Sequence, residues 1–547
     1  MLTNINTEIA TEVKKRRTFA IISHPDAGKT TITEKLLLHG GAIRLAGTVK
    51  GRKAEKFATS DWMEIEKQRG ISVTSSAMQF SFAGHEINIL DTPGHQDFCE
   101  DTYRTLLAAD CAVMLIDAAK GVEAQTIKLF QVCRMQHIPV FTFINKMDRY
   151  GKEPLALLEE LEEVLGIRSC PMNWPIGMGS DFMGIYNRSK NQLELPKSNP
   201  ADSLVSLPTA GIAAPEIESL LGASHHKQLC GDIELLNIAG DPFDAAKINE
   251  GMLTPVFFGS ALSGFGVLTF LEEFLRLAPP PGPRASSIGL IDPIQDEFSG
   301  FVFKIQANMN PAHRDRLAFL RVCSGKFERN MSVCHVRTKK KIRLTQPQQF
   351  LAQDRSIIET AYPGDIIGLF DPGVFNIGDT LSSQGGFSFD QLPRFSPEHF
   401  AKVAVKDAMR QKQFYKGMYQ LAEEGSVQIY KTFVHNREDL IIGVVGELQF
   451  EVFLYRLKNE YGVEVFFQRA PYQFARWIKG AEKLDLTRVN AANCTFVKDQ
   501  DDELVALFES EFNLNWMKKH NPELIFQTIN KADAADDATH YQNYKAF

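Results

Sequence analysis

One stretch near the N-terminus organises this chain, and it reads Ser23-His24-Pro25-Asp26-Ala27-Gly28-Lys29-Thr30. An apolar run, Phe19-Ala20-Ile21-Ile22, precedes it, and a helical pattern over residues 31–39 follows it and stops at Gly40-Gly41. A strand, a tight loop and a helix in this order form the setting in which a loop binds phosphate. Free N–H groups at the start of such a helix favour an anion. The usual pattern begins with Gly, whereas this loop begins with Ser23, so the motif alone is an imperfect match.

Individual positions of this loop have expected roles. Gly28 lets the backbone come close to a phosphate. We expect Lys29 to place its charge on the β- and γ-phosphates and the Thr30 hydroxyl to bind Mg²⁺. For Asp26 two interpretations stay open: contact with a phosphate-bound cation or water, or capping of the helix N-terminus.

Two further motifs follow predicted strands. Asp91-Thr92-Pro93-Gly94 comes after the strand at residues 86–90, and Asn145-Lys146-Met147-Asp148 comes after the strand at residues 140–144. We expect Asp91 to hold Mg²⁺ through water and the Gly94 amide to contact the γ-phosphate. The Asp148 carboxylate would accept hydrogen bonds from guanine N1–H and N2–H₂, groups that adenine lacks. The Lys146 stem would cover the ring face.

A last motif, Gly259-Ser260-Ala261-Leu262, follows the strand at residues 254–258, and a backbone N–H of Ser260 or Ala261 would reach guanine O6. Loops at the carboxyl ends of parallel strands lie at one edge of a sheet, where such sheets bind ligands. The sequence therefore predicts a GTP and GDP site. The residues expected to contact the nucleotide are Ser23, His24, Pro25, Asp26, Ala27, Gly28, Lys29, Thr30, Thr31, Asp91, Thr92, Pro93, Gly94, Asn145, Lys146, Asp148, Ser260, Ala261 and Leu262.

Two more side chains are candidates for chemistry. His95 directly follows Gly94, and it is either a surface histidine or the group that orients the attacking water. Ser72 lies in a polar loop after Gly70-Ile71, and it is either a plain loop serine or a Mg²⁺ ligand alongside Thr30 and Asp91. We expect no other metal, since His225-His226 and the cysteines have no partners at ligand spacing.

Composition bounds the fold and the setting. With 547 residues, 44% of them hydrophobic and 23% charged, the chain should form about three globular domains. No apolar run reaches the ~18 residues of a membrane span, and the eight cysteines include no C-x-x-C pair, as in a reducing cytosol. We expect a cytoplasmic protein. The formal charge of −7 argues against indiscriminate nucleic-acid binding.

The chain pattern predicts three domains. Residues 1–283 read as an α/β nucleotide-hydrolysing domain with a parallel sheet and an insertion at about 166–248. Residues 295–388 read as a β-barrel, and residues 395–547 as an α+β domain of strand–helix–strand–strand–helix–strand order, which is ferredoxin-like. The last residues, 532–547, are polar and are expected to be disordered.

Two basic clusters are open to two interpretations. One is Lys14-Lys15-Arg16-Arg17, and the other is Lys339-Lys340-Lys341, flanked by Arg337 and Arg343. Each is either a solvated strand edge or a salt-sensitive contact for RNA phosphate.

Taken together, the motifs resemble those of the ribosome-associated translational GTPases. The matching segments are S-H-P-D-A-G-K-T-T, R-G-I-S-V, D-T-P-G-H, N-K-M-D and G-S-A-L, in this order. The loop that begins with Ser, the R-G-I-S segment and G-E-L-Q at residues 446–449 are most similar to the bacterial release factor three family. The two further C-terminal domains of elongation factor G are missing, and the third region reads α+β rather than as the barrel of elongation factor Tu.

The resemblance implies a GTPase of translation termination that dissociates and recycles class I release factors after peptide release. It implies that Thr30 and Ser72 bind Mg²⁺, that His95 positions water, and that Pro25 and Ile71 form an apolar gate beside it. The implied partners are the ribosome, through its RNA and proteins, and class I release factors. We expect no membrane, no DNA and a monomer. Alternatives are another ribosomal GTPase, used in stalling rescue, or a GTP-switched binding module with little hydrolysis.

Overall fold

The computed structural model describes most of the chain, and all structural statements concern these residues. They are residues 2–43, 66, 72–195, 205–208, 211–307, 316–351, 354–390, 394–432, 440–479 and 494–528.

The first region is an α/β structure. Its helices are α1 Leu2–Lys15, α2 Lys29–His39, α3 Cys99–Ala108, α4 Ala124–Met135, α5 Pro154–Leu165, α6 Pro215–Leu221, α7 Ala223–Ala239, α8 Ala245–Asn249 and α9 Val267–Leu277, with short 3-10 helices at Gln96–Phe98 and Gly179–Asp181. Its strands are β1 Arg16–Ser23, β2 Ser76–Phe82, β3 His85–Asp91, β4 Cys111–Asp117, β5 Val140–Asn145, β6 Arg168–Pro171, β7 Asn173–Ile176, β8 Gly184–Asn187, β9 Gln192–Leu195, β10 Val205–Pro208 and β11 Leu253–Phe258.

The central sheet of this region confirms the predicted α/β fold. Its order is β2-β3-β1-β4-β5-β11-β6, and every pair except the antiparallel β2–β3 pair is parallel. Strands β1, β4, β5 and β11 are buried along their whole length, which explains their nearly continuous apolar sequences. The parallel register brings the loops after β1, β3, β5 and β11 to one edge.

The segment predicted as an insertion has a sheet of its own. Strands β7, β8, β9 and β10 pair in that order and antiparallel. The short strand β6 lies inside the predicted limits of the insertion, yet it pairs with β11 in the central sheet. The N-terminal part of this segment, strand β6, therefore belongs to the central sheet of the nucleotide domain.

The second region is all β. Its strands are β12 Arg284–Ser286, β13 Gly289–Ile291, β14 Ser299–Ala307, β15 Arg316–Ser324, β16 Phe327–Glu328, β17 Ser332–His335, β18 Lys340–Arg343, β19 Gln348–Leu351, β20 Asp354–Ile357, β21 Thr360–Ala361, β22 Ile366–Phe370 and β23 Thr380–Ser382. The order β18-β17-β23-β14-β15-β22-β19 encloses a separate apolar core. One bridge, Leu351 to Met78, joins this sheet to the edge of the first.

The third region confirms the predicted α+β order and extends it. Its elements are β24 His399–Val405, α10 Gln411–Glu423, β25 Gln428–Thr432, β26 Leu440–Val444, α11 Leu448–Tyr461, β27 Val465–Ala470, β28 Phe474–Lys479, β29 Cys494–Lys498, β30 Leu504–Phe508, α12 Glu511–His520 and β31 Ile525–Gln527, with a 3-10 helix at Ala408–Arg410. The sheet order β27-β24-β26-β25 is ferredoxin-like, and β29, β30, β28 and β31 continue it. The predicted disordered tail lies outside the described residues.

Helix α11 has two apolar faces with different partners. Phe450, Phe453 and Leu457 fill the core of the third region. The second face, with Val452 buried at its centre, packs against Val73 and Phe98 of the first region. The third region therefore packs against the first through side chains of α11.

The structure corrects both interpretations for Arg16 and Arg17 of the first basic cluster, whereas Lys14 and Lys15 are exposed. Arg16 is buried and forms ion pairs with Asp365 of the second region, at 2.8 Å, and with Glu12. Arg17 is buried too and donates to the carbonyl of Leu275. These guanidinium groups are neither solvated nor placed to meet RNA, because folding satisfies them internally.

The second basic cluster keeps its lysines on the surface. Lys339, in the turn between β17 and β18, is exposed, and so are Lys340 and Lys341 at the start of β18, whereas Arg337 pairs with Asp379 at 2.6 Å. Contact of these lysines with RNA phosphate stays a prediction.

Across the described part of the chain, no helix combines the length and apolar character needed to cross a membrane.

Candidate functional site

The loop between β1 and α2 approaches the loop after β5 so closely that only glycine fits between them. Gly28 has φ +103°, and a Cβ built on it would lie 2.2 Å from Nδ2 of Asn145. The same Nδ2 donates to the carbonyl of Ala27 at 2.8 Å. Gly28 is also the N-cap residue of α2, with no side-chain cap. Gly28, and not Asp26, therefore occupies the N-cap position of this helix.

The residues predicted to meet phosphate and metal converge on Lys29. Its Nζ lies 2.6 Å from Oδ1 of Asp91 and 3.4 Å from Oγ of Ser72. Lys29 and Asp91 are 7% and 2% exposed, so this pair is shielded from water. Thr30 follows in the first turn of α2 and is buried as well. A polyanion entering here meets one buried ammonium together with the free N–H groups of a helix start.

The oxygen atoms at this place suit a hard cation. The hydroxyls of Thr30 and Ser72 and the carboxylate of Asp91 are the ligand types that Mg²⁺ prefers, completed by water and substrate phosphates. Within the described ranges no group of three or more His, Cys, Asp or Glu side chains could hold a metal. The residues therefore fit Mg²⁺ that is shared with a nucleotide.

The loop after β3 lies against the phosphate loop. The Thr92 hydroxyl donates to the carbonyl of Ile21 at 2.7 Å. The hydroxyl of Thr102, a residue of α3, donates to the carbonyl of Pro93. A Cβ on Gly94 would sit 3.6 Å from Cα of Pro25, the predicted gate residue. Its predicted partner, Ile71, lies outside the described residues.

His95 directly follows Gly94, between the loop after β3 and the 3-10 helix Gln96–Phe98. Its side chain is 34% exposed, and its Nδ1 accepts the Asp97 N–H at 3.2 Å. Its ring meets the ring of Phe98 edge-on, with centroids 6.3 Å apart. The imidazole is thus anchored on one nitrogen and close to Gly94 in the chain, as a water-orienting group requires.

The predicted base-recognition residues form a linked set. Asn145 accepts the Ala261 N–H at 2.8 Å through Oδ1, so it ties the last motif to the phosphate loop. Oδ1 of Asp148 is buried and has no hydrogen-bond partner among the described residues. A buried carboxylate oxygen without a partner is costly unless a ligand supplies a donor. Guanine offers such donors through its N1–H and N2–H₂ groups.

The remaining predicted contacts are placed differently. The N–H groups of Ser260 and Ala261 already donate to Phe265 and Asn145, so donation to guanine O6 would have to be shared with these acceptors. His24 points its Nε2 at Glu123, 3.3 Å away. Leu262 is 63% exposed, and Thr31 is half-buried on α2. The Ser23 hydroxyl is buried without a partner in the described residues.

Sequence reasoning missed Asp117. It ends β4 directly opposite Asn145, and its carboxylate lies 2.7 Å from Nζ of Lys146. Lys146 has φ +72°, and its Nζ also donates to the Asp26 carbonyl, so the lysine stem is fixed across the site. The signal was present, since Asp117 is an acid at the end of a buried strand in the same sheet.

We expect Asp117→Ala to weaken GDP binding by roughly tenfold, because Lys146 loses the carboxylate that fixes its stem. Fluorescent GDP titration measures this. Asp181→Ala, an exposed aspartate in the insertion, is the matched control. Unchanged affinity in Asp117→Ala would contradict the importance of this pair.

Comparison with known proteins gives consistent matches along the chain. The family described as Elongation factor Tu GTP binding domain matches residues 14–280, Elongation factor G domain 2 matches residues 297–384, and Class II release factor RF3, C-terminal domain, matches residues 389–518. A protein named Peptide chain release factor 3 from Symbiobacterium thermophilum is 59% identical over 525 residues, which cover 96% of this chain and 99% of that protein.

Other similar proteins agree. A Listeria innocua protein of the same name is 54% identical over 518 residues, covering 94% of this chain and 98% of that protein. A crystal structure of a Thermus thermophilus protein superposes with a TM-score of 0.66 at 23% identity, over 85% of this chain and 69% of that one. At that identity the superposition supports the fold alone.

Proposed function

The chain belongs to the peptide chain release factor 3 family and is a GTPase of translation termination, and from this premise we propose that it uses GTP with Mg²⁺ to drive class I release factors off the ribosome after peptide release. The observation that carries the proposal is the meeting of Lys29, Ser72 and Asp91 at the start of α2. One charged pocket for phosphate and one unpaired carboxylate oxygen at Asp148 match the two ends of GTP.

Each residue has a definite task in this proposal. Lys29 leaves Asp91 to pair with the β- and γ-phosphates. Thr30 and Ser72 would provide hydroxyl ligands for Mg²⁺, and Asp91 would hold it through water. Mg²⁺ would neutralise the charge that develops on the phosphates. Asp148 and Lys146 hold guanine. His95 orients the water that attacks the γ-phosphorus while the bond to the bridging oxygen breaks, leaving GDP and phosphate.

The division into a nucleotide domain to residue 283, a β domain over residues 295–388 and an α+β domain from residue 395 is part of the proposal. So is a monomeric state, which light scattering would measure as the mass of one chain. The exposed lysines after β17 are proposed to contact ribosomal RNA phosphate, an interaction that must weaken as salt is raised.

Factor recycling on purified termination complexes tests the proposed function. A fluorescent class I release factor is bound after peptide release, and its departure is timed with this protein and GTP, GDP or a non-hydrolysable GTP analogue. We expect GTP to accelerate departure and GDP not to do so. Departure at the same rate with and without the protein would overturn the proposal, and the analogue shows whether hydrolysis is needed for factor removal or for a later step.

The Ser72 role has its own prediction. Residues 73–75 are held firmly, since Glu66 accepts the Val73 N–H and Asp101 accepts the Ser75 N–H. Ser72 directly precedes this fixed segment, and residues 67–71 before it lie outside the described residues. We expect Ser72→Ala to raise the Mg²⁺ concentration needed to bind a GTP analogue by about tenfold, with GDP binding little changed.

Limited trypsin digestion provides the second measurement. The polar segment that ends at Ser72 contains trypsin cleavage sites at Arg52, Lys53, Lys56, Lys67 and Arg69, and these five residues lie outside the described residues. Cleavage should be fast with GDP and slow with a GTP analogue on ribosomes, and Ser72→Ala should lose that protection. Ser81→Ala, which changes an exposed serine on β2, is the control. Equal cleavage of the parent protein in both nucleotide states would refute the role of Ser72.

A further inference from the structure

Asp97 lies where the nucleotide domain meets the third region. It is 9% exposed, and its Oδ2 accepts the N–H of Leu448, the first residue of α11, at 2.7 Å. The N-cap residue of α11, Glu447, offers no side-chain hydrogen bond of its own. A carboxylate at a helix start satisfies a free N–H and meets the positive end of the helix dipole. The start of α11 is therefore completed by a residue of another domain.

Gly446 makes this approach possible. A Cβ built on it would lie 2.1 Å from Cγ of Asp97, a distance that real atoms do not tolerate. Gly446 is not among the glycines with positive φ, so its backbone does not require glycine. The loop is also held from within, because Gln449 Oε1 accepts the N–H groups of Val445 and Gly446. Absence of a side chain at Gly446 serves the contact with Asp97.

The same aspartate holds His95. Its backbone N–H donates to Nδ1 of His95, and its Oδ1 lies 3.2 Å from that nitrogen. Nδ1 thus faces a donor and an acceptor that both belong to Asp97. Asp97 can therefore hold the imidazole whether Nδ1 is protonated or not, and neither contact uses Nε2.

Apolar contacts lie beside this polar link. Val452 on α11 is buried against Val73 and Phe98. Val73 directly follows the proposed Mg²⁺ ligand Ser72, and Phe98 contacts the ring of His95. The outer face of α11 therefore touches both loops that the proposed mechanism uses.

We propose that Asp97 is a positioning residue for His95, and that the N-terminus of α11 holds Asp97 in the position that this requires. The inference rests on the proposed role of His95. Its consequence is that hydrolysis depends on how the third region is placed: a displacement of α11 removes the Leu448 N–H from the Asp97 carboxylate, so that Oδ1 no longer holds Nδ1 of His95 and only the backbone N–H of Asp97 does. By linkage, a nucleotide state that moves His95 and Asp97 also changes how firmly α11 is held.

Three substitutions separate the parts of this arrangement. Asp97→Ala removes both carboxylate contacts, whereas Asp97→Asn keeps an oxygen for the Leu448 N–H and the shape of the side chain. Gly446→Ala leaves Asp97 intact and displaces it through the added Cβ. The readouts are kcat and KM for ribosome-stimulated GTP hydrolysis, together with GDP affinity and thermal unfolding.

We expect Asp97→Ala and Gly446→Ala each to lower kcat by roughly tenfold, with GDP affinity changed by less than about twofold, because a displaced catalytic group costs rate and not ground-state binding. Asp97→Asn should recover part of the loss. The double variant Asp97→Ala with Gly446→Ala should be no worse than either single one, since both act on one contact. A purely structural role would lower the unfolding temperature without this separation of kcat from affinity.

The controls and contrary outcomes are specific. Asp407→Ala removes an aspartate that caps the 3-10 helix at Ala408–Arg410 in the third region, and Gly231→Ala adds a methyl group with no atom within 4 Å; both should keep parental kcat. If Asp97→Asn and Asp97→Ala both keep parental kcat while His95→Ala is inactive, the inference fails and the proposed role of His95 stands. If His95→Ala itself keeps parental kcat, the proposed role fails. A normal kcat in Gly446→Ala alone overturns the part assigned to α11.

Discussion

Replacing His95 with alanine is expected to lower ribosome-stimulated GTP hydrolysis by at least about a hundredfold while nucleotide affinity changes by less than about twofold. The physical reason is where the imidazole acts. Its described contacts are with Asp97 and Phe98, on the side of the loop after β3, and not with the residues that fix the phosphate loop or the base. A group that orients water acts in the transition state, so its loss appears in kcat.

Single-turnover measurement on ribosomes is the suitable assay, because it separates the chemical step from GDP release. GTP is mixed with ribosome-bound protein, and phosphate is measured with time. His85→Ala is the matched control, because His85 begins β3, the strand that leads to the His95 loop, and its Nδ1 contacts the local turn at Ala83. Turnover near the parental rate in His95→Ala would assign water positioning to another group and would favour a water held by backbone atoms.

The sequence predicted the nucleotide edge of the fold because its signals are local. Buried parallel strands have nearly continuous apolar sequences, and each functional loop directly follows one. The loops after β1, β3 and β5 could therefore be placed at one edge from sequence alone. The ferredoxin-like order of the third region was predicted for the same reason, since each strand and helix has its own periodicity.

Contacts between distant segments could not be predicted in this way. Arg16 and Arg17 belong to a run that looks solvated, yet Arg16 pairs with Asp365, far along the chain. The outer apolar face of α11 packs against Val73 and Phe98, but the periodic pattern of a helix does not identify the surface that such a face meets. The link from Asp97 to Leu448 joins two domains through one backbone N–H, which has no sequence signature.

Local geometry decided other details against the sequence. Asp26 has the side chain of a helix cap, but α2 begins at Lys29 and its N-cap position is occupied by Gly28, whose backbone is left-handed. Asp117 was passed over because it belongs to no motif, although its register places it opposite Asn145. In both cases the deciding quantity is a backbone direction or a strand register, which residue types alone do not determine.

The second large effect concerns the choice of base. We expect Asp148→Asn to weaken GTP binding by about a hundredfold and to bind xanthosine triphosphate more tightly than GTP. Asp148 carries a buried oxygen without a partner among the described residues, so a ligand donor there contributes its full hydrogen-bond energy. Guanine offers N1–H and an amino group to a carboxylate, whereas xanthine replaces the amino group with an oxygen that accepts.

Competition between the two nucleotides on each variant measures this directly. Asparagine presents one acceptor and one donor, which match the N1–H and the 2-oxo group of xanthine. The neighbouring contacts of Asn145 with Ala27 and Ala261 do not involve Asp148 and should survive, so phosphate binding remains as an internal reference. Asp181→Asn is the control for the change of charge. Parental GTP affinity in Asp148→Asn, with no gain for xanthosine triphosphate, would place guanine recognition elsewhere in the loops after β5 and β11.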